Sequence, residues 1–250
     1  MHHFFTEPSC IQGDVIRIEG GDVNHIRNVL RMKPGEEISV SVPGDDREYR
    51  CGIEEIGEDE VICSLRFIKE EGVELPYRIT LFQGLPKADK MELIIQKAVE
   101  LGAYEIVPVK NERCVVKLDD KKAAQKAARW QGISEAAAKQ SRRGVIPQVS
   151  LPVSMKEAVM RAKEMTLACI PYELAEGMEA TKAFTDRMCE EKKGSLGIFI
   201  GPEGGFTKEE VELAAAAGVR PISLGRRILR TETAGMTMLS IIMYELEVMA

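Results

Sequence analysis

Residues 198–210 read IFIGPEGGFTKEE. An apolar run ends in Gly201, Gly204 and Gly205, and a helix start follows, marked by Thr207 and Glu210 at capping-box spacing. Strand, glycine loop and helix N-terminus in that order let many α/β folds approach a nucleotide, because glycine admits the backbone closely and the helix end carries partial positive charge. A phosphate ligand does not suit this loop. No Gly-Lys-Ser/Thr follows it, and Glu203 would repel phosphate, so a cationic or hydroxyl-bearing ligand fits better. Pro202 stiffens the turn. Taken alone, the loop reads equally well as a tight turn that needs glycine for positive φ.

Working outward, strand-like and helix-like segments alternate. RITLFQG (78–84) leads into a helix over 89–101, then YEIVPV (104–109), a long helix over 120–141 and a shorter one near 154–164. TLACIP (166–171), LGIFI (196–200) and RPISL (220–224) are further strands, with a helix over 207–217 and a last one from about 233 to 248. The helix over 89–101 carries an apolar stripe of Met91, Ile94, Ile95 and Ala98, a capping box from Asp89 and Glu92, and Gly102 just beyond its end. Repeated βα units predict a parallel sheet covered on both faces.

The pattern differs before residue 70. Strand-like runs at 14–20, 36–44, 49–56 and 60–68 are separated by Gly/Asp turns, with one helix in DVNHIRNVLRMKPG whose Val23, Ile26, Val29 and Leu30 fall at helical spacing until Pro34-Gly35 stops it. A small barrel with one helix is expected. The polar segment KEEGVELP (69–76) reads as a linker, which divides the chain into domains 1–72 and 73–250.

Composition bounds the function classes. At 250 residues, 44% hydrophobic and 30% charged, the chain can bury a sizeable core. No apolar run reaches the ~18 residues of a membrane span, and the first residues lack a secretory signal, so a cytoplasmic location with no membrane partner is expected. The six cysteines have no zinc-like spacing, so no metal is expected and buried free thiols are. Net charge is −6, but unevenly spread: residues 1–75 hold 8 Lys/Arg against 17 Asp/Glu, whereas 76–150 hold 14 against 8. An anionic partner would favour the middle segment.

In an open parallel sheet, ligands collect at the carboxyl ends of the strands. Three strand-end loops there, PYE (171–173), GPEGGFT (201–207) and LGRRILRTETAG (224–235), define one candidate pocket. Arg230 falls at a helix N-terminus, where a cation needs a partner; Glu232 in the same turn or an anionic substrate would supply one. His25 reads as a structural histidine, His2 and His3 lie near a mobile terminus, and Trp130 is expected in the core.

GLPKADKMELIIQKAVELGA, SEAAAKQSRR, IFIGPEGG and LGRRILRTETA, in this order, closely resemble the motifs of the SPOUT-class 16S rRNA (uracil-N3)-methyltransferases, the RsmE family. HIRNVLRMKPGEEI is similar to that family's barrel motif, so the resemblance spans essentially the whole chain. Arg226 stands where the family usually has proline, and His2 and His3 where it often has an arginine.

The resemblance implies an α/β protein: an N-terminal PUA-like β-barrel that binds RNA and a C-terminal SPOUT parallel-sheet domain with a deep trefoil knot, one of the few exceptions to unknotted topology. It also implies S-adenosylmethionine (SAM) as methyl donor and a homodimer acting on 16S rRNA, in the small ribosomal subunit. Carried over, Gly201, Pro202, Glu203 and Gly204 would form one side of the donor pocket, with Leu224, Gly225, Ile228, Leu229 and Arg230 wrapping the adenosine from the other. Methylating uracil N3 removes a proton and builds negative charge on the flanking carbonyls, for which Arg230 is the expected donor and Glu232 the expected proton acceptor. RNA contact is expected from Arg31, Lys33, Lys87, Lys90, Lys139, Arg142 and Arg143. Rival readings are a SPOUT enzyme acting on another RNA site and a non-catalytic RNA-binding protein of ribosome assembly.

Overall fold

The computed structural model describes residues 1–45, 47–69, 72–175 and 177–248. Its backbone contacts fall into two units, Met1–Glu74 with Ala138–Ile146, and Leu75–Ala137 with Pro147–Ala250.

The first unit contains β1 (His2–Phe5), β2 (Ile11–Gln12), β3 (Val15–Glu19), β4 (Glu37–Ser41), β5 (Glu48–Ile56) and β6 (Glu60–Lys69), joined in the order β1-β4-β5-β6-β3-β2. The β1–β4 pair is parallel and the others antiparallel. Period-2 alternation turns Ile16 and Ile18 of β3 inward, where they meet Phe4, Ile38, Val40, Ile53 and Val61 in one core. The sheet therefore curls around that core, and each fully buried isoleucine contributes about 2 kcal/mol relative to exposure. The four expected strands are present. β1 and β2 are additional, and no pairing between these two edges closes the ladder among the described residues.

The helix expected in DVNHIRNVLRMKPG is present as α1 (Gly21–Asn24) continued by one wide helical turn over His25–Val29, in which Leu30 N–H donates to the His25 carbonyl at 2.8 Å; two readings of this unit, those of His25 and His3, are corrected. An i→i+5 turn carries an extra residue. Val23 and Ile26 stay buried while Val29 is 60% exposed, and His25 faces solvent rather than the core. His3, expected near a mobile end, is buried in β1 with Nδ1 2.6 Å from Ser39 Oγ.

Burial lowers the His3 pKa to about 4, against the pull of Glu48 and with the aid of Arg142 and Arg50. A buried neutral histidine makes the unfolded chain bind more protons between pH 6.5 and 4, so stability falls as pH drops through that window. The loss approaches about 3 kcal/mol. We expect His3→Asn, which keeps a polar atom facing Ser39, to flatten that part of the urea-unfolding pH profile relative to wild type.

The free thiols behave as expected: Cys51 and Cys63 face this core and burial pushes both up to about 12, which makes them inert at neutral pH. Within the segment 69–76, Glu70 and Glu71 lie outside the described residues.

In the second unit β7 (Tyr77–Gly84), β8 (Ala103–Lys110), β9 (Gln148–Val149), β10 (Val153–Ser154), β11 (Leu167–Pro171), β12 (Gly194–Ile200) and β13 (Arg220–Ile222) form an all-parallel sheet in the order β10-β8-β7-β12-β11-β13, with β9 also on β8. Its helices are α2 (Lys90–Glu100), α3 (Asp120–Ser141, whose residues from Ala138 on belong to the first unit), α4 (Met155–Lys163), α5 (Glu179–Glu191), α6 (Lys208–Ala216) and α7 (Thr231–Val248). Being covered, the strands are continuously apolar: β7 buries all but Arg78, and Phe82 stacks on Phe199 of β12 at 4.5 Å. Trp130 is buried in α3, as expected.

Local signals set several boundaries. Thr207 accepts from Glu210 N–H and Glu210 returns to Thr207 N–H, the full capping box of α6. Ser154 and Glu157 cap α4 in the same way. The box expected from Asp89 and Glu92 does not form. Asp89 has φ −93° and ψ 10°, outside the extended conformation a capping side chain needs, and Glu92 pairs with Arg129 at 2.7 Å instead.

Candidate active site

The carboxyl ends of β11, β12 and β13 open together, and the loops that follow enclose a cavity of about 380 Å³ with Lys90 and the first turn of α7. That volume lies in the range of small-molecule sites. Ile200, Phe206, Leu224 and Leu229 give it apolar walls, and the glycine loop supplies backbone groups. Of the expected donor-site residues, Gly201, Pro202, Glu203, Leu224, Gly225, Ile228, Leu229 and Arg230 all line it. Gly204 does not; its carbonyl accepts from Arg113 Nη1 at 3.0 Å.

Glycine is required where chains meet at the pocket base. A Cβ on Gly84, at the end of β7, would lie 2.6 Å from Pro202 Cδ and 2.7 Å from Asn111 Oδ1. Gly205 has φ +67°, which lets the loop reverse before α6. Thr231, the first residue of α7, fastens the assembly: its hydroxyl donates to the Gly201 carbonyl at 2.6 Å and accepts from Gln83 Nε2 at 2.8 Å. From the other side buried Glu210 accepts from Asn111 Nδ2 at 3.1 Å and from Glu112 N–H at 2.9 Å, tying the segment after β8 to α6.

The charges are sorted. Glu203 accepts from Lys87 N–H at 3.1 Å and pairs with Lys90 at 3.2 Å. Burial opposes its ionisation, but the backbone N–H groups of Glu203 and Lys87 together with the Lys90 ammonium outweigh it and hold the carboxyl below the usual range. Lys90 also stands 3.4 Å from Glu232 Oε2, a buried oxygen with no hydrogen bond. Its own pKa is raised, first by the hydrogen bond to Glu203. Glu232 therefore pairs with Lys90 and not with Arg230. Arg226, Arg227 and Arg230 are exposed and have no ion pair among the described residues.

The residues expected to meet RNA are not one class. Arg31, Lys33, Lys87 and Arg142 are exposed. Lys90 is half-buried in the pocket wall, Lys139 pairs with Asp22 at 2.9 Å, and Arg143 is only 4% exposed, its guanidinium against Glu74. Arg143 thus serves the packing of the first unit, a correction its position in SRRG gave no sign of. Sequence reasoning also passed over Thr231 and Glu173 individually; both stood inside loops it had singled out.

An RNA-methyltransferase domain joined to a PUA domain is the class these features define: the family model described as RNA methyltransferase domain matches residues 73–243, and that described as RNA methyltransferase PUA domain matches 18–66. The chain belongs to the ribosomal RNA small subunit methyltransferase E family. It is 38% identical over 245 residues to the protein of that name from Bacillus subtilis, covering 98% of this chain and 95% of the relative. The structure of the Neisseria gonorrhoeae protein of that name, bound to S-adenosyl methionine, matches with a TM-score of 0.81 at 30% identity over 97% of this chain and 96% of that one. A Legionella pneumophila protein solved with the bound cofactor SAM also gives 0.81, at 32% identity over 96% of each chain.

Proposed function

We propose that the protein methylates N3 of a uridine in small-subunit (16S) rRNA, with SAM as donor. The observation that carries this reading is the pocket itself: a glycine loop that no Gly-Lys-Ser/Thr follows, apolar walls, and the carboxylates of Glu173 and Glu203 among its lining. A phosphate-free, sulfonium-bearing nucleoside suits that chemistry, and Gly201, Pro202, Leu224, Gly225, Ile228 and Leu229 would hold it. Bound SAM supplies an electrophilic methyl group.

Arg230 stands at the pocket, just before α7, with no ion pair among the described residues, so it can donate to a uracil carbonyl as N3 loses its proton. Glu232, two residues further on, does not line the cavity and is paired with Lys90 at 3.4 Å; it is the proposed proton acceptor, acting beside that lysine. The target base must be unpaired or flipped for N3 to enter.

Two exposed arginines of the first unit support the RNA contact. Arg31 (φ 54°) and Arg142 (φ 57°) are in the left-handed region, which glycine occupies without strain. Both sit where a helix end reverses, so the backbone geometry belongs to that closure, and it is their solvent-exposed charge that supports the RNA contact. Lys33 and Lys87 belong to the same proposed set, and Lys139, paired with Asp22, is its weakest member. A homodimer through α7 is proposed because this helix leaves Tyr244 63% exposed beside half-buried Met236 and Ile241. The deep trefoil knot in residues 73–250, closure of the PUA-like barrel over 1–72 and a cytoplasmic location belong to the same reading.

An N3 methyl blocks the Watson–Crick edge, so it halts reverse transcription. Primer extension on small-subunit rRNA should stop at one uridine in cells with the protein, read through in cells without it, and stop again on complementation. A lost 2′-O-methyl signal in place of that stop would assign another SPOUT chemistry, and unchanged rRNA would assign a non-catalytic role.

A further inference from the structure

Two carboxylates line the cavity, and they are not equivalent. Both oxygens of Glu203 are engaged by Lys87 N–H, at 3.1 and 3.3 Å, and Lys90 adds its ammonium at 3.2 Å. This residue spends its charge on tying the GPEGG loop to the segment before α2. Glu173, just past the end of β11, has no hydrogen bond or ion pair among the described residues and is exposed to the cavity. Its position is fixed by the chain around it: Tyr172 N–H donates to the Ile222 carbonyl at 2.9 Å, and Ala175 N–H closes a turn onto Tyr172 at 3.0 Å. A methyl group placed on Gly205 would be 3.8 Å from both Glu173 carboxylate oxygens, so the carboxylate faces the glycine loop across the pocket mouth.

The balance of charge decides what such a carboxylate is for. Arg226, Arg227 and Arg230 line the cavity with no ion pair among the described residues, while Lys90 and Glu203 offset each other. Glu203 and Glu232 are both held by Lys90, so without Glu173 a cation entering this cavity would find no lining carboxylate free of a cation partner among the described residues and would face the arginines, which is unfavourable where water is partly excluded. Hydroxyl groups would not need it, because backbone carbonyls of the loops accept from them equally well. We infer that Glu173 is the counter-charge for the cationic part of the donor, its sulfonium and α-ammonium, and that Glu203 shapes the loop without meeting the donor. This rests on the donor reading given above.

Calorimetry on the full chain tests it with three ligands: SAM, S-adenosylhomocysteine, which lacks the sulfonium, and 5′-methylthioadenosine, which carries neither cation. Glu173→Gln should weaken SAM by about five- to tenfold, as expected for one partly exposed charge-assisted contact, S-adenosylhomocysteine by less, and methylthioadenosine by under about twofold. Glu173→Asp should retain part of the preference. Glu203→Gln should weaken all three ligands alike, because it loosens the loop. Equal weakening of all three by Glu173→Gln, or no weakening of SAM, would overturn the inference. If the wild-type protein binds methylthioadenosine but shows no gain for SAM, the counter-charge idea fails while the nucleoside pocket stands; if it binds none of them, the donor reading fails and takes the inference with it.

Discussion

Arg230→Ala should lower the methyl-transfer rate by about 10²–10³-fold while leaving donor affinity within a few-fold, the loss associated with removing one fixed donor from a developing oxyanion. The structure sharpens this expectation. A cation beside a helix N-terminus is unfavourable by about 0.3–1 kcal/mol unless it is paired. Glu232 could have been that partner, but its carboxylate lies with Lys90 at 3.4 Å, and Arg230 has no ion pair among the described residues. Removing it should therefore leave the melting temperature unchanged or slightly higher, which separates a catalytic arginine from a structural one. Arg230→Lys should recover only part of the rate, since an ammonium cannot present the planar fork of a guanidinium to two acceptors. Full transfer by Arg230→Lys with unaltered donor binding would return Arg230 to a structural role.

Five strands of the parallel sheet were legible because each is a short apolar run next to a helix signal, and burial on both faces leaves that signature whatever the topology; the two-residue β9 and β10 leave no such run and were not expected. The pocket was legible for a related reason: IFIGPEGG and LGRRILR mark strand ends that must converge once the sheet is parallel. Features that depend on which residue meets which were hidden. Nothing in DVNHIRNVLRM announces a wide turn at His25, because the apolar residues stand at ordinary helical spacing and only the observed bond from Leu30 reveals the extra residue. β1 contains two histidines and becomes a strand by pairing with β4. The division of labour between Glu203 and Glu173 follows from Lys90 reaching back from α2 to the loop after β12, a contact across 113 positions that no local pattern encodes.

Arg143→Ala should destabilise the first unit by about 3–5 kcal/mol, the cost of leaving a buried charge without its partner. The residue looks like an RNA contact in the sequence, one of two consecutive arginines after a helix, and its neighbour shows why it is not. The chain leaves α3 with Arg142 in the left-handed region; Arg142 N–H donates to the Lys139 carbonyl at 3.3 Å and Arg143 N–H to that of Ala138 at 3.0 Å. This reversal is a Schellman closure, and it sends the two side chains in different directions. Arg142 stays in solvent, while Arg143 turns inward, where its Nε donates to Glu74 Oε1 at 3.1 Å and its Nη2 to Oε2. Gly144 N–H donates to the same Oε1 at 3.0 Å, so Glu74 binds the whole corner. Substituting Lys139, Arg142 and Arg143 together would then report unfolding of the unit instead of an RNA footprint. Hydrogen exchange of β4 and β5 amides in urea should show the loss for Arg143→Ala, with partial recovery when Glu74→Leu removes the stranded carboxylate. Arg142→Gly, by contrast, should leave those amides as protected as in wild type and lower the salt slope of RNA binding by about one. If instead Arg143→Ala kept full protection and reduced that slope, the buried pair would not govern the residue and Arg143 would return to the RNA surface.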